Sequence, residues 1–300
     1  MCGIVGLHLR EPALHPRLGE LLTGMLGQVC ERGPDSAGVA VYGDPRMSPP
    51  GRASVSLLPR GRRGADVVAA VAARLPATAD IGVFDGGQTL VLNALTGANV
   101  LRAAVRAALP DAVIVGYGED IAVLKGVGHP RTLADEIGLA RVQGWQGVAH
   151  TRMATESAVT PEGSHPFSVG PGQCLVHNGS FSNHATIRRE LRAEGVEFDS
   201  DNDSEVGARF VAHQLAQGAD LEKALRLLCE RFDGFYTLLV STRDSFAVVR
   251  DAIACKPAII AETPQWVAMA SEYRALAHLP GVEQARIFEP EPEEVYIWQR

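Results

Sequence analysis

The chain opens MCGIVGLHLR (residues 1–10). GIVGLHL (3–9) is apolar and β-prone, and Cys2 stands ahead of it, directly behind the initiator methionine. Aminopeptidases remove Met when the next side chain is small, as cysteine is. Cys2 would then carry a thiol and the free α-amine together. A thiol ordinarily titrates near ~8.5 and an α-amine near ~7.7–8.0, so the amine can activate the sulfur directly or through water. Such an arrangement needs no histidine. Taken alone, a cysteine at position 2 is more often an accident of sequence.

Working outward, residues 1–43 read as strand, helix, strand. RLGELLTGMLGQVCERG (17–33) carries Leu18, Leu21, Leu22, Met25, Leu26 and Val29 at helical spacing and stops at Gly33-Pro34. SAGVAVYG (36–43) is a second short strand. Residues 44–64 are rich in Pro, Gly and Arg and read as a linker with one short strand inside. Helical patterns follow at 65–75, 98–109 and 132–143, separated by stretches at 80–95 and 111–127 that read as hairpins. We expect 44–145 to be an α/β subdomain inserted within a domain that spans 1–300. From Gln146 strands return with GVAHT, and LVHNG (175–179) reads as a strand ending in a turn. Helices are expected at 182–195 (capped by Ser182), 203–218 and 220–234, and most of the remainder is strand. The order predicts an α+β fold of antiparallel sheets with helices outside.

Bulk properties narrow the function. A net charge of −7 argues against a nucleic-acid surface. No apolar run approaches the ~18–20 residues of a membrane span, and no signal peptide is visible. The five cysteines (Cys2, Cys30, Cys174, Cys229, Cys255) are scattered, without metal or cluster spacing, which points to a cytoplasmic protein that needs no cofactor and no metal.

Three later stretches add chemistry. In HTRMATES (150–157), Arg152 can hold a carboxylate with its planar fork, or form a surface ion pair. In HNGSFSN (177–183), the Asn178 amide and the Gly179 N–H can form an oxyanion hole, or an ordinary Asn-Gly turn. In SDNDSEV (200–206), Asp203 can pair with an ammonium group, or cap a helix. In this order they supply a nucleophile, an anion clamp, an oxyanion hole and a cation clamp. His150 and His177 are expected to buttress the site strands.

The combination resembles the class II glutamine amidotransferases, which are N-terminal-nucleophile hydrolases. It is carried by MCGIVG (1–6), RGPDSAG (32–38), GVAHTRMAT (147–155), SHPF (164–167), HNGSFSNHATIR (177–188), DNDSEV (201–206) and the hairpin-like region 232–260. It covers residues 1–43 and roughly 146–276. The resemblance implies an αββα four-layer sandwich. It also implies hydrolysis of glutamine's side-chain amide through a Cys2 thioester. Asn178 and Gly179 would stabilise the oxyanion, and Arg152 and Asp203 would bind the α-carboxylate and α-ammonium. Thr155 would line the glutamine pocket, and Arg32 would pack behind the nucleophile. Met153 and Glu156 depart from the residues that relatives carry beside the clamp arginine.

Ammonia released by this family is normally consumed by an acceptor domain. The chain has no phosphoribosyl-pyrophosphate loop and no S-G-G-x-D-S nucleotide loop. It also lacks room for sugar-isomerase domains. The resemblance therefore implies a separate synthase subunit, of the glutamate synthase or N-methylglutamate synthase type. A regulatory or scaffolding subunit without turnover and a stand-alone amide hydrolase are the alternatives. The intact Cys2, Arg152, Asn178, Gly179 and Asp203 weigh against the first, and the paired clamps against the second.

Overall fold

The computed structural model describes residues 2–153 and 159–300. The chain begins with β1 (Gly3–Leu9), α1 (Leu18–Val29), β2 (Ser36–Tyr42), β3 (Ala53–Leu58), α2 (Gly64–Ala72), β4 (Gly82–Gly86), β5 (Thr89–Ala94) and α3 (Ala98–Ala108). It continues through β6 (Val113–Gly118), β7 (Ile121–Val127), α4 (Pro130–Glu136), β8 (Gln146–Arg152), β9 (Cys174–Phe181), α5 (His184–Ala193), α6 (Asp203–Ala216) and α7 (Leu221–Arg231). It finishes with β10 (Gly234–Ser241), β11 (Ser245–Arg250), β12 (Ile259–Glu262), β13 (Trp266–Ala270), β14 (Arg286–Phe288) and β15 (Tyr296–Gln299).

β1 explains the architecture. Every residue of it is buried. Val5, Leu7 and Leu9 face α1, in one core with Leu22, Met25 and Leu26. Ile4 faces the opposite way, into a second core with Val148, Val176, Leu239, Phe246 and Met269. The strand thus lies inside a layered structure, apolar on both faces. A one-residue slip would exchange those faces, and each side chain is worth roughly 1.5–3 kcal/mol on burial. The register is fixed accordingly. Gly6 lies where the sheets approach most closely: a Cβ there would sit 2.5 Å from Leu239 Cδ2.

The large sheet has seven strands in the order β14-β12-β13-β1-β8-β2-β7, and the facing sheet has four in the order β15-β11-β10-β9. α1 and α4 cover the outside of the large sheet. The apolar faces of α5, α6 and α7, among them Ile187, Val211 and Leu225, cover the outside of the other. This is the expected αββα sandwich.

A third sheet, in the order β4-β5-β3-β6, packs against α2 and α3 around its own core of Val55, Leu57, Val71, Leu92, Leu101 and Val105. The stretch 111–127 does not form the expected hairpin within it. β6 ends the third sheet, whereas β7 pairs with β2 as the last strand of the large sheet. The outward backbone groups of β7 are met by side chains. Thr89 Oγ1 accepts from the Lys125 N–H (3.0 Å) and donates to its carbonyl (2.9 Å). Ser56 Oγ accepts from the Val123 N–H (2.9 Å), and Gln88 Oε1 from that of Val127 (3.0 Å). An edge strand that would otherwise offer free amides is thereby closed.

Other expectations shift at their ends. The helix expected over 132–143 stops at Glu136, and Gly138 (φ 62°) leads into a short 3-10 turn. Asn183, not Ser182, precedes α5, without a side-chain cap. Among the described residues no helix is long and apolar enough to cross a membrane.

Thr89→Val keeps the shape at the third-sheet seam and leaves two buried groups of Lys125 unpaired. We expect it to lower stability by about 1–3 kcal/mol, measured by urea unfolding. An unchanged midpoint would show that this seam does not fasten the third sheet.

Candidate active site

Cys2 continues the parity of Ile4, Gly6 and His8, so it stands at the open end of the layer between the two sheets. Its half-buried thiol donates to the Met153 carbonyl (3.8 Å). Its own carbonyl accepts from Arg32 Nε (2.9 Å) and from Asn178 Nδ2 (3.2 Å). The next two amides are also held: the Gly3 N–H by Thr151 Oγ1 (3.2 Å) and the Ile4 N–H by Ser271 Oγ (2.9 Å). Arg32 sits in the short 3-10 turn after α1, and its other arm pairs with Glu272 (2.7 Å).

Asn178 and Gly179 do not form a turn. β9 runs on to Phe181, and both residues pair with β10, Asn178 with Thr237 and Gly179 with Tyr236. Asn178 Nδ2 also reaches Ser271 Oγ (3.4 Å), and Oδ1 lies 3.0 Å from His150 Nε2. Tyr236 gives its N–H to Asp251 Oδ1 (2.7 Å), and its carbonyl accepts from the Asp251 N–H (3.1 Å), both on the far side of β10. Gly179 and Tyr236 are therefore a pair without mutual hydrogen bonds, and the Gly179 N–H faces the open edge of β9. Glycine is required here: φ is 145°, and a Cβ would lie 2.0 Å from the Phe235 carbonyl oxygen.

Two residues farther along that edge, the Phe181 N–H donates to Asp203 Oδ2 (2.9 Å). Asp203 is the first residue of α6 and not its cap. Asn202 caps the helix, accepting from the Ser204 N–H (2.9 Å). Asp203 Oδ1 faces Ser204 Oγ (3.3 Å), which in turn contacts His177 Nδ1 (2.7 Å). Arg152 ends β8 beside Cys2. It is 6% exposed, with its guanidinium near Gly163.

The structure thus brings Cys2, Arg32, Arg152, Asn178, Gly179 and Asp203 to the ends of β1 and β8, the edge of β9 and the start of α6. Thr155 lies outside the described residues. Sequence reasoning missed Ser271 and Glu272, because a Ser-Glu pair after a distant strand carries no signal of its own.

Behind Asn178 three histidines are buried. The His150 and His165 ring centroids are 4.2 Å apart, and His177 stacks on Phe181 at 4.3 Å. Loss of hydration is the largest cause for each and lowers the pKa of all three; for His150, where it outweighs the hydrogen bond with Asn178, the value falls to about 3. They are neutral at physiological pH. Among the described residues no group of His, Cys, Asp or Glu is arranged to hold a metal ion.

Comparison with known proteins identifies the family. A family model described as a glutamine amidotransferase domain matches residues 150–278. The chain is 45% identical over 311 residues to the glutamine amidotransferase-like protein GlxB of Rhizobium meliloti (strain 1021), covering 99% of this chain and 98% of that protein. It is 34% identical over 133 residues to the glutamine–fructose-6-phosphate aminotransferase of Thermococcus kodakarensis, covering 44% of this chain but 22% of that one. Among solved structures, the glutamine phosphoribosylpyrophosphate amidotransferase of B. subtilis superimposes with a TM-score of 0.62 at 19% identity. That comparison covers 99% of this chain and 47% of the other, so this chain spans about half its length, and the likeness is one of fold. The fold is that of the N-terminal-nucleophile hydrolases, and the near full-length identity to GlxB makes the chain a member of the class II glutamine amidotransferase family.

Proposed function

We propose that the protein hydrolyses the side-chain amide of glutamine and passes the ammonia to a separate synthase subunit. The observation that carries the hydrolytic reading is the convergence of a thiol, an oriented amide, an open-edge N–H, an arginine and a carboxylate at one point.

Once Met1 is removed, the Cys2 α-amine takes the thiol proton. The sulfur attacks the amide carbon, and the Asn178 amide and the Gly179 N–H stabilise the developing oxyanion. The amine returns the proton to the leaving ammonia, and water then hydrolyses the γ-glutamyl thioester. Arg152 binds the substrate α-carboxylate in a bidentate pair, and Asp203 takes the α-ammonium. Arg32 stays behind the nucleophile, holding its carbonyl.

The acceptor is a glutamate synthase-like or N-methylglutamate synthase-like subunit. Two features support this choice: the third sheet, which lies outside the sandwich, and exposed Met153 where many relatives have an aromatic residue. The five cysteines, all unbridged, suit a cytoplasmic location.

Three outcomes are expected. Cys2→Ala abolishes glutaminase activity, and 6-diazo-5-oxo-norleucine modifies Cys2 in a peptide map; label on Cys30 or Cys174 would sink the mechanism. A tag left uncleaved ahead of Cys2 removes the free amine and eliminates turnover, whereas full activity in that form would assign the base elsewhere. Asp203→Asn still accepts from Phe181 but loses its charge. It should raise the KM for glutamine about 10-fold or more, as expected for a hydrogen bond to an ionised partner. An unchanged KM would leave Asp203 with a purely structural role.

A further inference from the structure

The orientation of the Asn178 amide follows from its surroundings. The Cys2 carbonyl oxygen can only accept, so the amide atom 3.2 Å from it must be Nδ2. Oδ1 then faces His150, and an amide oxygen can only accept. His150 Nε2 must therefore carry the ring proton and donate across the 3.0 Å contact. A neutral ring carries only that one proton, which leaves Nδ1 bare. This nitrogen is buried without a partner among the described residues, as are both nitrogens of His165, whose ring lies against that of His150.

We propose that His150 is a positioning residue for the oxyanion amide: its Nε2–H pins Asn178 Oδ1, which keeps both protons of Nδ2 on the Cys2 side. A flipped amide would set Nδ2–H against Nε2–H at one end and two oxygens together at the other. His150 touches neither thiol nor substrate. Its effect is to remove an orientation that the amide would otherwise sample, so the donor is in place before charge develops. The groups facing the ring act in both directions. Burial acts most strongly against a second proton, and His177 and Arg152 add to it, while the Asn178 side chain and the His177 carbonyl favour protonation without outweighing burial.

This rests on the glutaminase reading, and two measurements separate the two. In ¹H–¹⁵N spectra of the wild-type protein, the His150 signals should report a protonated Nε2 and a bare Nδ1, unchanged over roughly pH 5 to 8. A protonated Nδ1 overturns the proposal whatever the activity. In kinetics, removing one oxyanion donor typically costs ~10²–10³ in kcat, so loosening it through His150→Phe should cost about 10-fold or more, with KM for glutamine nearly unchanged. His150→Gln, whose amide can donate from a similar place, should keep most of the wild-type kcat. In an Asn178→Ala background, His150→Phe should have no further effect.

An equal loss in that background, or a Gln variant as poor as the Phe variant, assigns His150 to packing alone and overturns the proposal. If His150→Phe fails to fold, the Gln variant and the spectra still decide. Wild-type protein that does not hydrolyse glutamine, with the expected tautomer in place, overturns the proposed function and leaves the His150–Asn178 arrangement standing.

Discussion

The site depends on how the backbone of Cys2, Gly3 and Ile4 is held. A chain end ordinarily frays. Here the Cys2 carbonyl accepts from Arg32 and Asn178, the Gly3 N–H donates to Thr151, and the Ile4 N–H donates to Ser271. Ordering three residues costs roughly 3–6 kcal/mol in backbone entropy. Three neutral hydrogen bonds at ~0.5–1.5 kcal/mol each and one from a guanidinium at ~1.5–3 kcal/mol are of that size. The four donors and acceptors come from separate parts of the fold: the turn after α1, β8, β9 and the end of β13. The nucleophile is therefore only as well placed as the sandwich is well packed. Arg32 passes that dependence on, because its other contact is Glu272, which also pairs with Arg274 (2.6 Å).

What the sequence reveals divides along the same line. Cys2, Arg152 and Asp203 are legible because their chemistry is unusual at those places and their order is distinctive. The helices are legible because their apolar spacing is local. What fails is whatever depends on a distant partner. Asn178-Gly179 carries a strong local turn signal, yet β10, more than fifty residues away in sequence, pairs straight across it and the strand continues. The stretch 111–127 does turn, at Glu119 and Asp120, but its two arms join different sheets because β7 finds β2. Ser271 has no signal at all: a serine is one among many until β13 returns it beside β1.

The small third sheet follows from the same edge physics. A seven-stranded sheet must end somewhere, and its last strand exposes unpaired amides. Ser56, Gln88 and Thr89 answer those amides of β7 with side chains, so the third sheet joins the sandwich without a continuous ladder. Such a junction fixes position through a few directional bonds. It leaves the outer helices of the third sheet out of the sandwich core, whereas α1 and α6 are bound into that core by apolar burial. On the proposed reading, that is where a second subunit could be met without disturbing the glutamine site.

On the proposed mechanism β9 has the opposite problem, because its open edge is used. Its outward amides are dealt with one at a time: Leu175 pairs with Phe167, and Phe181 with Asp203. Gly179 lies between them, its N–H on the same open edge. Along a strand, residues two apart on one edge are separated by ~6.6 Å. On that mechanism, an oxyanion donor at Gly179 and a carboxylate bound to the Phe181 amide are set at a strand's own repeat, a spacing suited to the carbon chain between an amide and an α-ammonium. The positive end of α6 favours the carboxylate at its first residue. On the proposed mechanism, Asp203 grips the strand that carries the oxyanion donor, so the group that would bind one end of the substrate also holds in place the group that would act on the other.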